Sequence, residues 1–227
     1  LDSPAGNALV TNTEYRAGRL VAHLVKVNGG ELRKGDKVTA RIDAHTRRNT
    51  ENHHTATHLL QAALQNVLGD HVHQAGSWVG PNRLRFDFTH FEGIESERLE
   101  DVERLVNEYI RNDIPVAFSH ESLDQARSGG AMALFGQKYA DEVRTVRVGE
   151  VSYELCGGCH VPRTGVIGFC KVLDESALSS GVRRIEAVCG EPCVDTVQHH
   201  ERLLHGTAQM LSAKADDLAD RVRALLD

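Results

Sequence analysis

The sequence predicts a protein of both helices and strands, with the two kinds of element gathered in separate stretches of the chain. Three observations carry this. Short β-branched segments punctuated by glycine come first, two runs of apolar residues at helical spacing follow, and a second group of β-branched segments leads into a helical tail. The 227 residues are enough for one good-sized domain with appendages or for two small ones. Apolar residues make up 41% and charged residues 26%, a mix that can bury a core.

The first strands are expected at 19–27 and 37–42, where Gly29-Gly30 and Gly35-Asp36 supply tight turns. Two or three strands rarely stand alone, so residues 1 to 48 read as part of a small β-barrel whose other strands lie outside this chain. A helix is expected from near Asn52, with Ala56, Leu59, Leu60, Ala63, Leu64, Val67 and Leu68 on one side and Gly69-Asp70 as its stop. A second helix is expected over 96–111, with Ser96 as N-cap and Pro115 barring extension. Strands are expected over 145–153, 165–173 and 182–188. From Val194 the chain reads as helical, with Val197, Leu204, Leu211, Leu218 and Leu225 spaced by sevens, the start of a longer helical or coiled-coil region.

No run approaches 18 apolar residues, so no membrane span is expected. The chain starts at Leu1 without a basic-then-apolar leader and reads as a segment of a longer one. A net charge of −6 argues weakly against a nucleic-acid partner, because binding depends on where basic groups cluster. Arginines do pair locally, at Arg47-Arg48, Arg83 with Arg85, Arg144 with Arg147, and Arg183-Arg184. Such pairs suit ordinary ion-paired surfaces and also permit a phosphate-binding one. Five cysteines without a secretion signal do not read as a disulfide framework, and thirteen histidines put a metal first.

His54 and His58 stand four apart at the start of the first helix, so both imidazoles can face one ion. Far along the chain comes Cys156-Gly157-Gly158-Cys159-His160, where two glycines allow a tight turn that brings Cys156 and His160 together. Three imidazoles and a thiolate suit tetrahedral zinc. Either half alone has plainer readings: a surface coincidence for the histidines, a redox motif or a simple turn for the thiols. Thr55 stands where a His-Glu-x-x-His peptidase would carry its glutamate, so a metalloprotease loses its base. No Asp or Glu is read inside either metal motif.

Five motifs in order carry a resemblance across residues 50–190. They are His54-Thr55-Ala56-Thr57-His58-Leu59-Leu60; Gln74-Ala75-Gly76-Ser77 with Leu84-Arg85-Phe86-Asp87-Phe88; Gly130-Ala131-Met132-Ala133-Leu134-Phe135-Gly136; Glu154-Leu155-Cys156-Gly157-Gly158; and Gly181-Val182-Arg183-Arg184-Ile185-Glu186-Ala187. The set resembles the editing domain of alanyl-tRNA synthetases, within a superfamily shared with freestanding deacylases. The resemblance implies zinc held by His54, His58, Cys156 and His160, and an α+β fold with a sheet packed around the metal-bearing helix. It divides the chain into a partial barrel at 1–48, a zinc-dependent editing domain at 49–191 and the helical start of a C-terminal region at 192–227. One departure is Cys159, where the family usually has threonine, which leaves Cys159 as a rival ligand to Cys156.

The implied activity is hydrolytic removal of serine, and of glycine as a further substrate, from the 3′ end of tRNA(Ala), in the cytoplasm and joined to the rest of a synthetase chain. Alanine fits wherever serine fits, so the site must recognise the hydroxyl instead of excluding by size. Thr57, next to His58, and Gln74 are the expected catalytic and substrate-reading residues, against plainer roles as a back-bonded helix threonine and a surface glutamine. Arg183 and Arg184 are the expected tRNA contacts, against salt-bridging within the sheet. The alternatives are a freestanding trans-editing deacylase and a non-catalytic, zinc-stapled tRNA-binding module.

Overall fold

The structure is a computed structural model that describes residues 1–16, 20–133 and 139–226. Arg19, from the first expected strand, and Leu134, Phe135 and Gly136, from the third motif, lie outside the described residues. The chain divides into two compact units, Leu1–Ala44 and His45–Asp227.

The first unit is an antiparallel hairpin of β1 (Gly6–Arg16) and β2 (Leu20–Gly30). Strand β1 was not legible in the sequence, because Gly6, Asn7, Asn12 and two threonines dilute its alternation. The strand expected at 37–42 is not formed; Thr39 makes only an isolated bridge to Asp2, through two backbone hydrogen bonds of 2.9 and 2.8 Å. Among the described residues this unit has a hairpin and no closed barrel. Leu20, Val21, Leu24, Val25 and Val27 of β2 are all exposed, so the hairpin by itself encloses no barrel interior. Gly30 is required where it stands, at φ +70°, because a Cβ there would come 2.0 Å from the Ala5 carbonyl oxygen.

The second unit is a mixed helix-and-strand body. It opens with α1 (Ala44–Leu68), which starts well before Asn52; its first two turns are largely polar and carry no apolar period by which to read them. Gly69, at φ +115°, ends it as expected. Strands β3 (Gln74–Val79) and β4 (Leu84–Thr89) follow, then α2 (Ser96–Arg111). The N-cap of α2 is Glu95 and not Ser96, and no side chain caps it. Next come β5 (Val116–Ser122), α3 (Leu123–Ser128), β6 (Glu142–Val148) and β7 (Ser152–Leu155). The single strand expected at 145–153 is therefore two, folded back at Gly149 with φ +50°. A 3-10 turn at Thr164–Ile167 occupies the start of the strand expected at 165, and β8 (Cys170–Ser179) begins only after it. Then come β9 (Val182–Cys189), α4 (Glu191–Met210) and α5 (Leu218–Leu226). The seven-spaced tail is not one helix: Leu211 caps α4, and Val197, Leu204 and Leu225 remain exposed.

Two antiparallel sheets result, ordered β3-β4-β9-β8 and β5-β6-β7. One apolar cluster joins Ala56, Leu59, Leu60, Ala63 and Leu64 of α1 to Phe86 and Phe88 of β4, Val102, Val106 and Ile110 of α2, Val146 and Val148 of β6, and Ile185 of β9. Helix α1 thus packs its apolar stripe into the common core. His53, fully buried, ties that helix to the sheet. Its Nδ1–H donates to the Asn49 carbonyl at 2.7 Å, and its Nε2 accepts from the Cys189 amide at 3.0 Å. That pairing requires a neutral ring, and burial lowers its pKa accordingly.

Asn107 performs the same service for β8. Its amide donates to the Cys170 carbonyl at 2.8 Å and accepts from the Cys170 amide at 2.9 Å, inside the protein. Replacing Asn107 with Leu leaves both backbone groups unpaired at about 1–3 kcal/mol each. The expected result is a lower urea midpoint with an unchanged slope; an unchanged midpoint would show that water or a neighbour takes over.

Candidate metal centre

Helix α1 sets His54 and His58 one turn apart, with ring centroids 5.6 Å from each other. The loop after β7 closes on them, bringing the His160 ring to 4.3 Å from His54 and 4.7 Å from His58. Cys156 Sγ lies 3.5 Å from His54 Nε2 and 3.3 Å from His160 Nε2. The four donor atoms all fall within 4.8 Å of one another. Nitrogen and sulfur ligands on one tetrahedral zinc stand about 3.5 Å apart, so the donor set fits that ion in kind and in spacing. Cys159 is not part of the group.

The loop is held from both sides. Arg144 of β6 donates from Nη1 to the carbonyls of Cys156 and Gly158, at 2.8 and 2.7 Å. Gly158 lies flat against His54: a Cβ there would come 1.7 Å from Cε1 of the ring. Gly157 meets nothing within 4 Å. Only the second glycine of the pair is therefore demanded, by close approach and not by turn geometry.

Hydrogen bonds fix how the rings present their lone pairs. Thr55 is fully buried, and its Oγ1 accepts from the Val161 amide at 3.2 Å and stands 3.1 Å from His160 Nδ1. With Nδ1–H donating to that oxygen, Nε2 of His160 is left to face Cys156. His58 Nδ1 lies 3.3 Å from Glu154 Oε1, close enough for electrostatic contact though without hydrogen-bond geometry. Glu154 is a site residue the sequence reading missed, since no carboxylate was read inside either metal motif. The available signal was its spacing: two positions before Cys156 at a strand end places both on one face.

Burial sets the charge state. It pushes His54 and His58 down to about 4 and, with neighbouring imidazoles and Arg144 adding repulsion, His160 down to about 2. Burial likewise raises the Cys156 thiol and pushes Glu154 up to about 7. The imidazoles thus offer free lone pairs near neutral pH, and the thiol needs a cation to become thiolate.

The remaining expected residues fall into two groups. Thr57 is buried beside His58, but its hydroxyl donates to the His53 carbonyl at 2.8 Å, the back-bonded arrangement of a helix threonine. Gln74 is half-buried, donates to Ser77 Oγ at 3.0 Å, and lines a cleft of about 610 Å³ together with Gln61, Thr89, Met132 and Glu154. None of the four metal-ligand candidates lines that cleft. Arg183 forms a two-pronged pair with Glu175, at 2.5 and 2.8 Å, and Arg184 another with Asp87, at 2.7 and 2.9 Å. Both guanidiniums are thereby engaged within the β4-β9-β8 sheet.

A protein-family model described as the threonyl and alanyl tRNA synthetase second additional domain matches residues 143–186. The chain is 49% identical over 220 residues to the alanine–tRNA ligase of Thermotoga maritima, covering 97% of this chain and 26% of that protein. It is 48% identical over 218 residues to the alanine–tRNA ligase of Lysinibacillus sphaericus, covering 96% and 24%. With that of Halorhodospira halophila it shares 48% over 210 residues, covering 92% and 24%. The chain spans about a quarter of the length of these curated relatives.

The two glycines make a paired test of the loop. Gly158→Ala is expected to push His54 out of the cluster and to lower zinc affinity by at least tenfold, whereas Gly157→Ala keeps it within twofold. Zinc competition with a chromophoric chelator measures both, and equal affinities would show that His54 is not a ligand.

Proposed function

The chain is a homologue of one segment of the alanine–tRNA ligases, and from that premise we propose that it hydrolyses the ester of tRNA(Ala) wrongly charged with serine, using a zinc ion. The observation that supports this most is the convergence of His54, His58, Cys156 and His160, with Glu154 standing against His58 and also lining the cleft that Gln74 lines. We assign the activity to residues 49–191, with glycine as a second amino acid cleared. The partners in this reading are the acceptor end of the tRNA and the rest of a synthetase chain, and the workplace is the cytoplasm. Among the described residues no helix is long and apolar enough to cross a membrane.

Zinc held by the four residues would supply a Lewis acid, or a fixed point for a polar group of the substrate. The protein's own groups do the rest. Thr55 orients His160 from behind, and Glu154 stands against His58 as a nearby charge. Glu154 reaches the cleft as well as His58, where its carboxyl group is placed to take up or release a proton of the substrate. Gln74 presents its amide to the same cleft, where it can hold the ester or a water. Arg183 and Arg184, partly exposed beside their carboxylates, are the proposed contacts to tRNA phosphates.

The test is metal content measured together with deacylation of seryl-tRNA. Cys156→Ala is expected to lose bound zinc and to lower the rate at least a hundredfold, because the anionic ligand is gone. Cys159→Ser keeps about one zinc per chain and most of the rate. Loss of metal from the Cys159 variant, with metal retained in His160→Ala, would move the site to the other thiol; full activity in metal-free protein would end the zinc reading.

A further inference from the structure

His54, His58 and Gln61 stand at i, i+4 and i+7 on α1 and therefore share one stripe of the helix. Gln61 is 3% exposed, and its Nε2 is turned to the sulfur of Met132. A thioether is a weak acceptor, and a buried amide held by one is poorly satisfied. An oxygen brought within reach would be a better partner for that amide than the sulfur. The same side chain lines the 610 Å³ cleft and also a neighbouring cavity of about 250 Å³, and Glu154 lines both. Meanwhile the Thr57 hydroxyl, the expected reader of serine, is already donated to its own helix.

We propose that Gln61 is the specificity-determining residue of this site, reading the side-chain hydroxyl of the esterified amino acid. The inference rests on the deacylase reading above. A seryl group in the cleft offers the amide an oxygen in place of the Met132 sulfur. An alanyl group offers nothing, so the amide stays poorly paired and the complex gains no hydrogen bond. The discrimination runs in the required direction: the smaller amino acid is penalised for the group it lacks.

The test uses Gln61→Met, which keeps length and volume, and Gln61→Leu as a second apolar variant. Single-turnover deacylation of seryl-tRNA and alanyl-tRNA, zinc content and thermal unfolding are measured on each. The seryl-to-alanyl rate ratio is expected to fall about tenfold, the size of one buried hydrogen bond. Zinc content stays the same and the melting temperature holds or rises, since a poorly paired amide has been removed from the interior. An unchanged ratio overturns the role of Gln61 alone. So does a lower melting temperature with both rates slowed alike, which would make the amide a structural group. A wild-type chain that cleaves neither ester overturns the deacylase reading, and the proposal with it.

Discussion

The second unit depends on one constraint: helix α1 buries polar side chains together with its apolar stripe. Asn52, His53, Thr55, Thr57 and His58 are buried within a few residues of Ala56, Leu59 and Leu60. A polar group taken from water without a partner is expensive, so the helix sits in the core with partners supplied for most of these groups. They come from several places. Cys189 at the end of β9 serves His53, Val161 and His160 serve Thr55, Glu154 at the end of β7 stands against His58, and Thr57 turns to its own backbone. Long-range contacts pair His53 and Thr55, whereas Asn52 Oδ1 and His58 Nδ1 have no hydrogen-bond partner among the described residues; several of the same contacts assemble the candidate metal centre.

Burial also decides what chemistry those groups can offer. Left in water, imidazoles would be partly protonated near pH 6.5 and would repel a cation. Packed against one another beside Arg144, His54, His58 and His160 stay neutral well below that pH. The same desolvation keeps Cys156 as a thiol and Glu154 able to hold a proton at neutrality. A divalent cation held by these groups would bind by displacing the thiol proton.

The arginines show the limit of reading charge from composition. Arg183 and Arg184 are adjacent in sequence yet serve different carboxylates, Glu175 on β8 and Asp87 on β4, because β9 lies between those strands. Arg144, noted in the sequence only as half of a basic pair, instead holds the ligand loop through the Cys156 and Gly158 carbonyls. A guanidinium's role follows from which acceptors lie within reach, and sequence neighbours do not specify that.

The sequence alone determined the elements whose pattern is local. The apolar period of α1 and α2, the stop at Gly69, strand β9 and the pairing of His54 with His58 all follow from residues a few positions apart, and they needed only helix and strand periodicity to be read. Motifs in order then pointed to Cys156 and His160. Tertiary structure decided what depends on distant neighbours. It formed a hairpin over 6–30 and no strand at 37–42, since a strand needs a paired edge and not only β-branched residues. It made Gly158 indispensable and Gly157 free, since only one of them meets His54. It brought in Thr55, Glu154 and Gln61, to which the sequence assigned no role at the site, because the groups they meet lie 105 residues away for Thr55 and 71 for Gln61, and it committed the Thr57 hydroxyl to the helix. Periodicity fixes which face of an element a residue occupies; only packing fixes what that face meets.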